Sequence, residues 1–205
     1  MQFIFTRHGE SDANVQRIIS NRDLPHALTA KGRWQAQQLA ERLSQLPIVA
    51  IYASPILRAQ QTAEIVAEKL GLSFETTDAL REFDCGIMEG RGDAEAWQAH
   101  ELVVAAWERG DRSACIPKGE SFEELERRFV TFVEAVHSQY AAQEGNVLLI
   151  AHGSLLHNML PHLLSNVERS FSQQHPLSNC ACVFVTPQEG KLVCLEWNGV
   201  EPVQK

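Results

Sequence analysis

The chain has 205 residues, 44% of them hydrophobic and 21% charged, which fits one folded domain and excludes a disordered or low-complexity protein. Its formal net charge of −8 speaks against nucleic acid as a partner, because such binding needs a basic face, and no apolar run is long enough to cross a membrane. Charge is uneven, however: residues 1–60 hold seven Lys/Arg (7, 17, 22, 31, 33, 42, 58) against four Asp/Glu (10, 12, 23, 41), leaving room for an anion-binding pocket on an acidic body.

Short apolar runs alternate with amphipathic stretches. Residues 2–6 read as a buried strand, too short for the core of a signal peptide. Thr29 caps a helix that carries Trp34, Leu39, Ala40 and Leu43 at three- and four-residue spacings and stops before Pro47. Residues 48–53 form a second apolar run, 56–70 a helix stopped by Gly71, and 73–77 a weak strand. Residues 86–117 break this rhythm with four glycines and a proline around a helix at 94–109. This stretch is an insertion over the sheet, acting as a lid or as an ordinary surface excursion. Ser121 and Glu124 match a capping box for a helix to residue 140. Residues 146–151 are a buried strand, 155–164 a helix containing Pro161, and 181–186 and 191–197 a terminal hairpin. Strand–helix alternation implies one α/β domain over residues 1–205: a three-layer α/β/α sandwich with a mostly parallel sheet and at least one antiparallel strand. The hairpin residues Val183, Phe184, Leu195 and Trp197 are either core or an edge for a homodimer.

The five cysteines (85, 115, 180, 182, 194) are odd in number and scattered, as expected for reduced thiols in a cytoplasmic protein. Cys180 and Cys182 fall on one face of a strand, where they fill core.

Ligands of open α/β sheets bind at the carboxyl ends of strands. Three expected strands end in polar residues: Arg7-His8-Gly9, Ser54 through Arg58, and His152-Gly153-Ser154. A lone histidine after a strand is usually a satisfied loop residue, but two His-Gly pairs are harder to dismiss. Glycine after histidine lets the backbone approach a ligand, the arginines can grip phosphate in bidentate fashion, and the following helices offer free N–H groups to an anion. Metal is the competing reading of the eight histidines. None stands in a metal-binding spacing, so no metal or other cofactor is expected.

In combination these motifs resemble the histidine phosphatase superfamily, which includes the phosphoglycerate mutases. The resemblance rests on Arg7-His8-Gly9-Glu10-Ser11 with Asn14; Leu28-Thr29 with Gly32 and Gln35-Ala36; Tyr52-Ala53-Ser54-Pro55 with Arg58-Ala59 and Gln61-Thr62-Ala63; Glu82 with Gly86 and Glu89-Gly90; Gly119-Glu120-Ser121; and Ala151-His152-Gly153. It implies that His8 becomes phosphohistidine, that Arg7, Arg58 and His152 hold the phosphoryl oxygens, and that Glu82 is the general acid and base. Asn14, Ser20, Asn21, Gly153 and Ser154 are the further expected phosphate- or substrate-binding residues.

The mutases of this family also hold a substrate carboxylate. Here Cys85 stands where they have an aromatic, Asp93 where they have a lysine, and Glu108-Arg109 where they have an arginine pair. This departure implies a metal-independent phosphomonoesterase acting on a small phosphorylated metabolite, with mutase activity or non-catalytic binding as the alternatives. Met88, Arg91, Trp97 and Trp107 are candidates for the substrate side, the two tryptophans equally for local core.

Overall fold

Apolar runs of the chain, above all residues 146–151, build most of its central sheet. The structure is a computed structural model describing residues 1–202. Strands β1 (Gln2–Arg7), β2 (Ile48–Ala53), β3 (Glu75–Thr76), β4 (Asn146–Ala151), β5 (Cys182–Gln188) and β6 (Lys191–Trp197) lie in the order β3-β2-β4-β1-β5-β6. The first four are parallel, and β5 and β6 run antiparallel to their neighbours. β4 is buried along its whole length between β1 and β2, as its unbroken apolar sequence requires of a strand covered on both faces.

Side chains alternate across this sheet and feed two cores. Phe3, Phe5, Val147, Leu149 and Ala151 face one core with Leu125, Phe129 and Val133 of α5 (Phe122–Tyr140) and Leu155, Leu156 and Met159 of α6 (Gly153–Leu163). Ile4, Ile51, Ala53, Leu148 and Ile150 face the other, with Leu39, Ala40 and Leu43 of α2 (Ala30–Leu43) and Ala59, Ala63 and Val66 of α3 (Leu57–Leu70). Each large side chain so buried contributes about 1.5–3 kcal/mol. The arrangement is the expected α/β/α sandwich.

Local signals are obeyed closely. Thr29 accepts from the Gly32 amide, Gly71 closes α3 with φ 66°, and Ser121 and Glu124 form the reciprocal capping box. The β5–β6 turn has Glu189 and Gly190 at φ 49° and 77°, as a two-residue type I′ turn requires. The weak third strand shrinks to two residues. Two short helices carry no clear periodicity in the sequence, α1 (Asp12–Gln16) and α7 (Arg169–Gln174). α4 (Ala94–Glu108) fills the excursion at 86–117. Cys180 lies before β5 in the left-handed region rather than on the strand, although it and Cys182 still pack on the same core.

Gly9 and Gly32 set how the loop after β1 meets α2. A Cβ on Gly9 would lie 2.5 Å from the Gly32 carbonyl oxygen, and one on Gly32 would collide with the Glu10 carbonyl. Gly32→Ala is therefore expected to lower unfolding free energy by about 1–3 kcal/mol, read by urea denaturation. A variant as stable as the parent would show that the loop shifts freely.

Candidate active site

The three strands that end in polar residues are neighbours, β2-β4-β1. Register brings their ends level. The His8 amide bonds the Ala151 carbonyl (3.0 Å) and the Ser54 amide bonds the Ile150 carbonyl (2.9 Å), so His8, Ser54 and His152 leave the sheet side by side. The rings of His8 and His152 lie 5.1 Å apart.

The His8 tautomer follows from its partners. Arg58 Nε donates to His8 Nε2 (2.9 Å), and His8 Nδ1 lies 2.6 Å from the Gly9 carbonyl. A guanidinium cannot accept and a carbonyl cannot donate. The neutral ring therefore carries its proton on Nδ1 and keeps its lone pair on Nε2. His8 is 2% exposed. Burial first, then Arg58 and Arg7, push its pKa well below the ordinary 6.5. His152, fully buried, is lowered in the same direction, again by burial first.

Arg58 is itself lowered to about 10, chiefly by burial. Its Nη1 donates to the Ser20 carbonyl (2.6 Å), and the Ser20 hydroxyl bonds His26 (2.8 Å). Ser20 thus anchors the arginine. Arg7 Nη1 bonds the Leu177 carbonyl (2.8 Å). Among the described residues, Arg7 Nε and His152 Nδ1 are the buried side-chain polar atoms without a partner. Buried polar atoms are normally satisfied, so these two orphans, one of them an arginine N–H, mark a place for a polar ligand.

Glu82 is 7% exposed, and burial raises its pKa despite hydrogen bonds from backbone amides and the nearby Arg58. Its Oε2 accepts from the Ser154 amide (2.8 Å) and its Oε1 from the Phe83 amide (3.1 Å). The first-turn amide of α6 that the sequence offered to an anion is therefore engaged by Glu82. The two glycines also differ from expectation. Gly9 makes room for α2, and a Cβ on Gly153 would press to 3.2 Å on the Arg7 guanidinium, so both ease contacts within the protein.

Arg7, His8, Asn14, Ser20, Asn21, Arg58, Glu82, Gly153 and Ser154 all line one cavity of about 330 Å³. His152 lies behind its surface. Asn21 ties the Glu82 loop down, its amide nitrogen donating to the Phe83 carbonyl (2.9 Å). Asn14 caps α1 with Ser11 and takes a long bond from Asn179 (3.4 Å). Of the four side chains expected on the substrate side, only Trp97 lines the cavity. Met88 and Trp107 are core, and Arg91 is paired at the surface with Asp93 and Glu95.

Several contributors escaped sequence reasoning. Thr62 accepts from the Gly9 amide (3.1 Å), and Asn179 donates to the His8 carbonyl (3.0 Å). Arg128 on α5 donates to the carbonyls of Asp78, Ala79, Arg81 and Glu82 and grips the Glu120 carboxylate through Nε (2.6 Å) and Nη2 (2.9 Å). One planar side chain so fixes the loop that presents Glu82. Its spacing from Glu120, eight residues along one helix start, was the signal available.

A scan of family models matches residues 3–200 to the histidine phosphatase superfamily (branch 1). The chain belongs to that superfamily. It is 32% identical to a Salmonella arizonae "Probable phosphoglycerate mutase GpmB", over 96% of this chain and 90% of the relative. Solved structures of this histidine phosphatase fold include an alpha-ribazole phosphatase from Shigella flexneri (25% identity, TM-score 0.79, all of both chains). A mycobacterial glucosyl-3-phosphoglycerate phosphatase is as similar (25%, TM-score 0.80, 97% of this chain and 99% of that one). A Bacillus anthracis phosphoglycerate mutase shares the fold at 22% identity and TM-score 0.80, over 97% of this chain and 92% of that one.

The lowered histidines make a pH prediction. The unfolded chain takes up protons from about the ordinary value of 6.5 downward, which the folded rings refuse, so these two groups stabilise the fold above 6.5 and their contribution falls as pH falls through that value. Glu82 acts oppositely: its raised folded pKa favours the fold at low pH and costs stability as pH rises from its ordinary 4.5. In an NMR titration, the His8 ring, assigned with His8→Ala, is expected to stay neutral at pH 6.5. Half-protonation there would contradict the geometry.

Proposed function

We propose that this protein is a metal-independent phosphomonoesterase that works through a phosphohistidine on His8. The observation that carries the reading is the buried His8 Nε2 lone pair, held by the Arg58 Nε–H beside two orphan polar atoms. The lone pair attacks phosphorus in line; the N–P bond forms as the P–O bond to the leaving oxygen breaks. Arg7 and Arg58 meet the charge on the non-bridging oxygens, and His152 offers Nδ1 from behind. Glu82, whose charged form burial disfavours, acts in its protonated form and gives that proton to the leaving alkoxide. Water then attacks the phosphohistidine, Glu82 takes its proton, and the N–P electron pair returns to Nε2 as inorganic phosphate departs.

The positive charge that a metal would supply comes instead from Arg7 and Arg58, which both line the cavity. Among the described residues no three His, Cys, Asp or Glu side chains group as metal ligands. Hydrolysis is favoured over mutase transfer by the cavity wall. Among the described residues its only Lys/Arg side chains are Arg7 and Arg58, both at the orphan atoms, which leaves none of these for a substrate carboxylate. Asp93 instead caps α4, and Glu108 pairs with Arg169. The mutase name carried by curated relatives supports phosphoglycerate interconversion as the second reading, and an assay for it separates the two.

Hydrolysis of p-nitrophenyl phosphate is expected in excess EDTA, with His8→Ala lowering kcat by at least about a thousandfold. Loss of wild-type activity in EDTA, or survival in the variant, would overturn the mechanism. Glu82→Gln is expected to slow alkyl phosphates far more than p-nitrophenyl phosphate, whose leaving group needs little protonation. An equal loss on both would remove Glu82 from the role of acid.

A further inference from the structure

The cavity has a second half that the chemistry above does not use. Beyond the phosphoryl end it is walled by Ile18, Trp97, His100, Val104, His157 and Leu177. We infer that this outer half receives an uncharged, partly apolar alcohol moiety, the leaving group of the phosphomonoester, and discriminates against leaving groups that carry a second anion. This rests on the phosphomonoesterase reading and narrows its substrate class.

Three observations carry it. First, among the described residues this part of the wall has no Lys or Arg. Arg169, which touches it from behind by donating to Asn158 Oδ1 (2.7 Å), is neutralised by Glu108 (3.1 Å). Arg91 at the head of α4 is held in solvent by Asp93 and Glu95. A carboxylate seated here would be desolvated without a partner, which costs far more than seating a neutral group.

Second, the other polar groups nearby are engaged. Trp97 Nε1 donates to the Arg17 carbonyl (2.8 Å), and Asn158 Nδ2 donates to the Ser154 carbonyl (2.8 Å). His100 and His157 have no hydrogen-bond partners on their rings among the described residues.

Third, burial lowers the pKa of both histidines, with Arg169 adding to the effect on His157 and the carboxylates Glu101 and Glu108 opposing it. Each ring at neutral pH presents one donor and one acceptor and no charge. That pairing suits hydroxyl or amide groups, while Val104, Ile18, Leu177 and the faces of Trp97 and His100 (ring centroids 5.5 Å apart) suit apolar carbon.

The test is a matched pair of esters whose leaving groups differ in charge and hardly in shape or acidity, 4-(carbamoylmethyl)phenyl phosphate and 4-(carboxymethyl)phenyl phosphate, with p-nitrophenyl phosphate as reference. The amide is expected to have kcat/KM at least about tenfold higher than the acid at pH 7. Val104→Lys, which puts a cation into the wall, is expected to narrow or reverse that ratio. Should p-nitrophenyl phosphate be hydrolysed while the acid matches the amide, or while neither is turned over, the inference about the outer cavity is wrong and the phosphatase reading stands. Inert p-nitrophenyl phosphate would instead bring down that reading and this one together.

Discussion

The hydrogen bond from Arg58 Nε to His8 Nε2 (2.9 Å) is the contact on which the site depends. It cannot form unless the imidazole is neutral and holds its proton on Nδ1, where the Gly9 carbonyl receives it. It sets a cation against the lone pair that the proposed reaction uses. The cation is in turn fixed by the Ser20 carbonyl, and Ser20 by His26. Burial reinforces this arrangement: a buried imidazolium close to the Arg58 and Arg7 guanidiniums would be disfavoured.

The fold supplies that burial and aims the groups. Phe3–Thr6 of β1, Ile51–Ala53 of β2 and the whole of β4 are buried, and the register of the three strands places His8, Ser54 and His152 at one level. His8 and Glu82 reach the cavity from different parts of the chain. His8 rises from the sheet, while Glu82 is presented by a loop held to α5 through Arg128 and docked on the start of α6 through its own carboxylate. The Glu82 loop is thus tied to two helices, and its carboxyl group lies in a place where burial favours the neutral form.

Much of this was legible in the sequence. The capping residues, the terminal hairpin and the polar residues at strand ends are local features, and local rules predicted them. Arg7, His8, Arg58 and Glu82 were found through motif order, and the cavity contains them all. What was missed is tertiary. Nothing near Arg128 in sequence shows that its guanidinium reaches four carbonyls some fifty residues away. The Ser154 amide looked free because its acceptor, Glu82, lies 72 residues earlier. Trp97 and Trp107 sit ten residues apart on one helix and so on different faces; which face would line the cavity and which would be core depends on how the helix docks. α7 went unseen because six residues are too few to show a period.

The central claim is that a phosphoryl group rests on His8 during turnover. Rapid quenching into alkali, followed by peptide mass spectrometry, measures this directly. The account predicts one acid-labile, alkali-stable phosphoryl group on the peptide containing His8, which accumulates in Glu82→Gln during turnover of p-nitrophenyl phosphate and is absent from His8→Ala. Turnover with no phosphorylated peptide, or with the phosphoryl group on another residue, would contradict it.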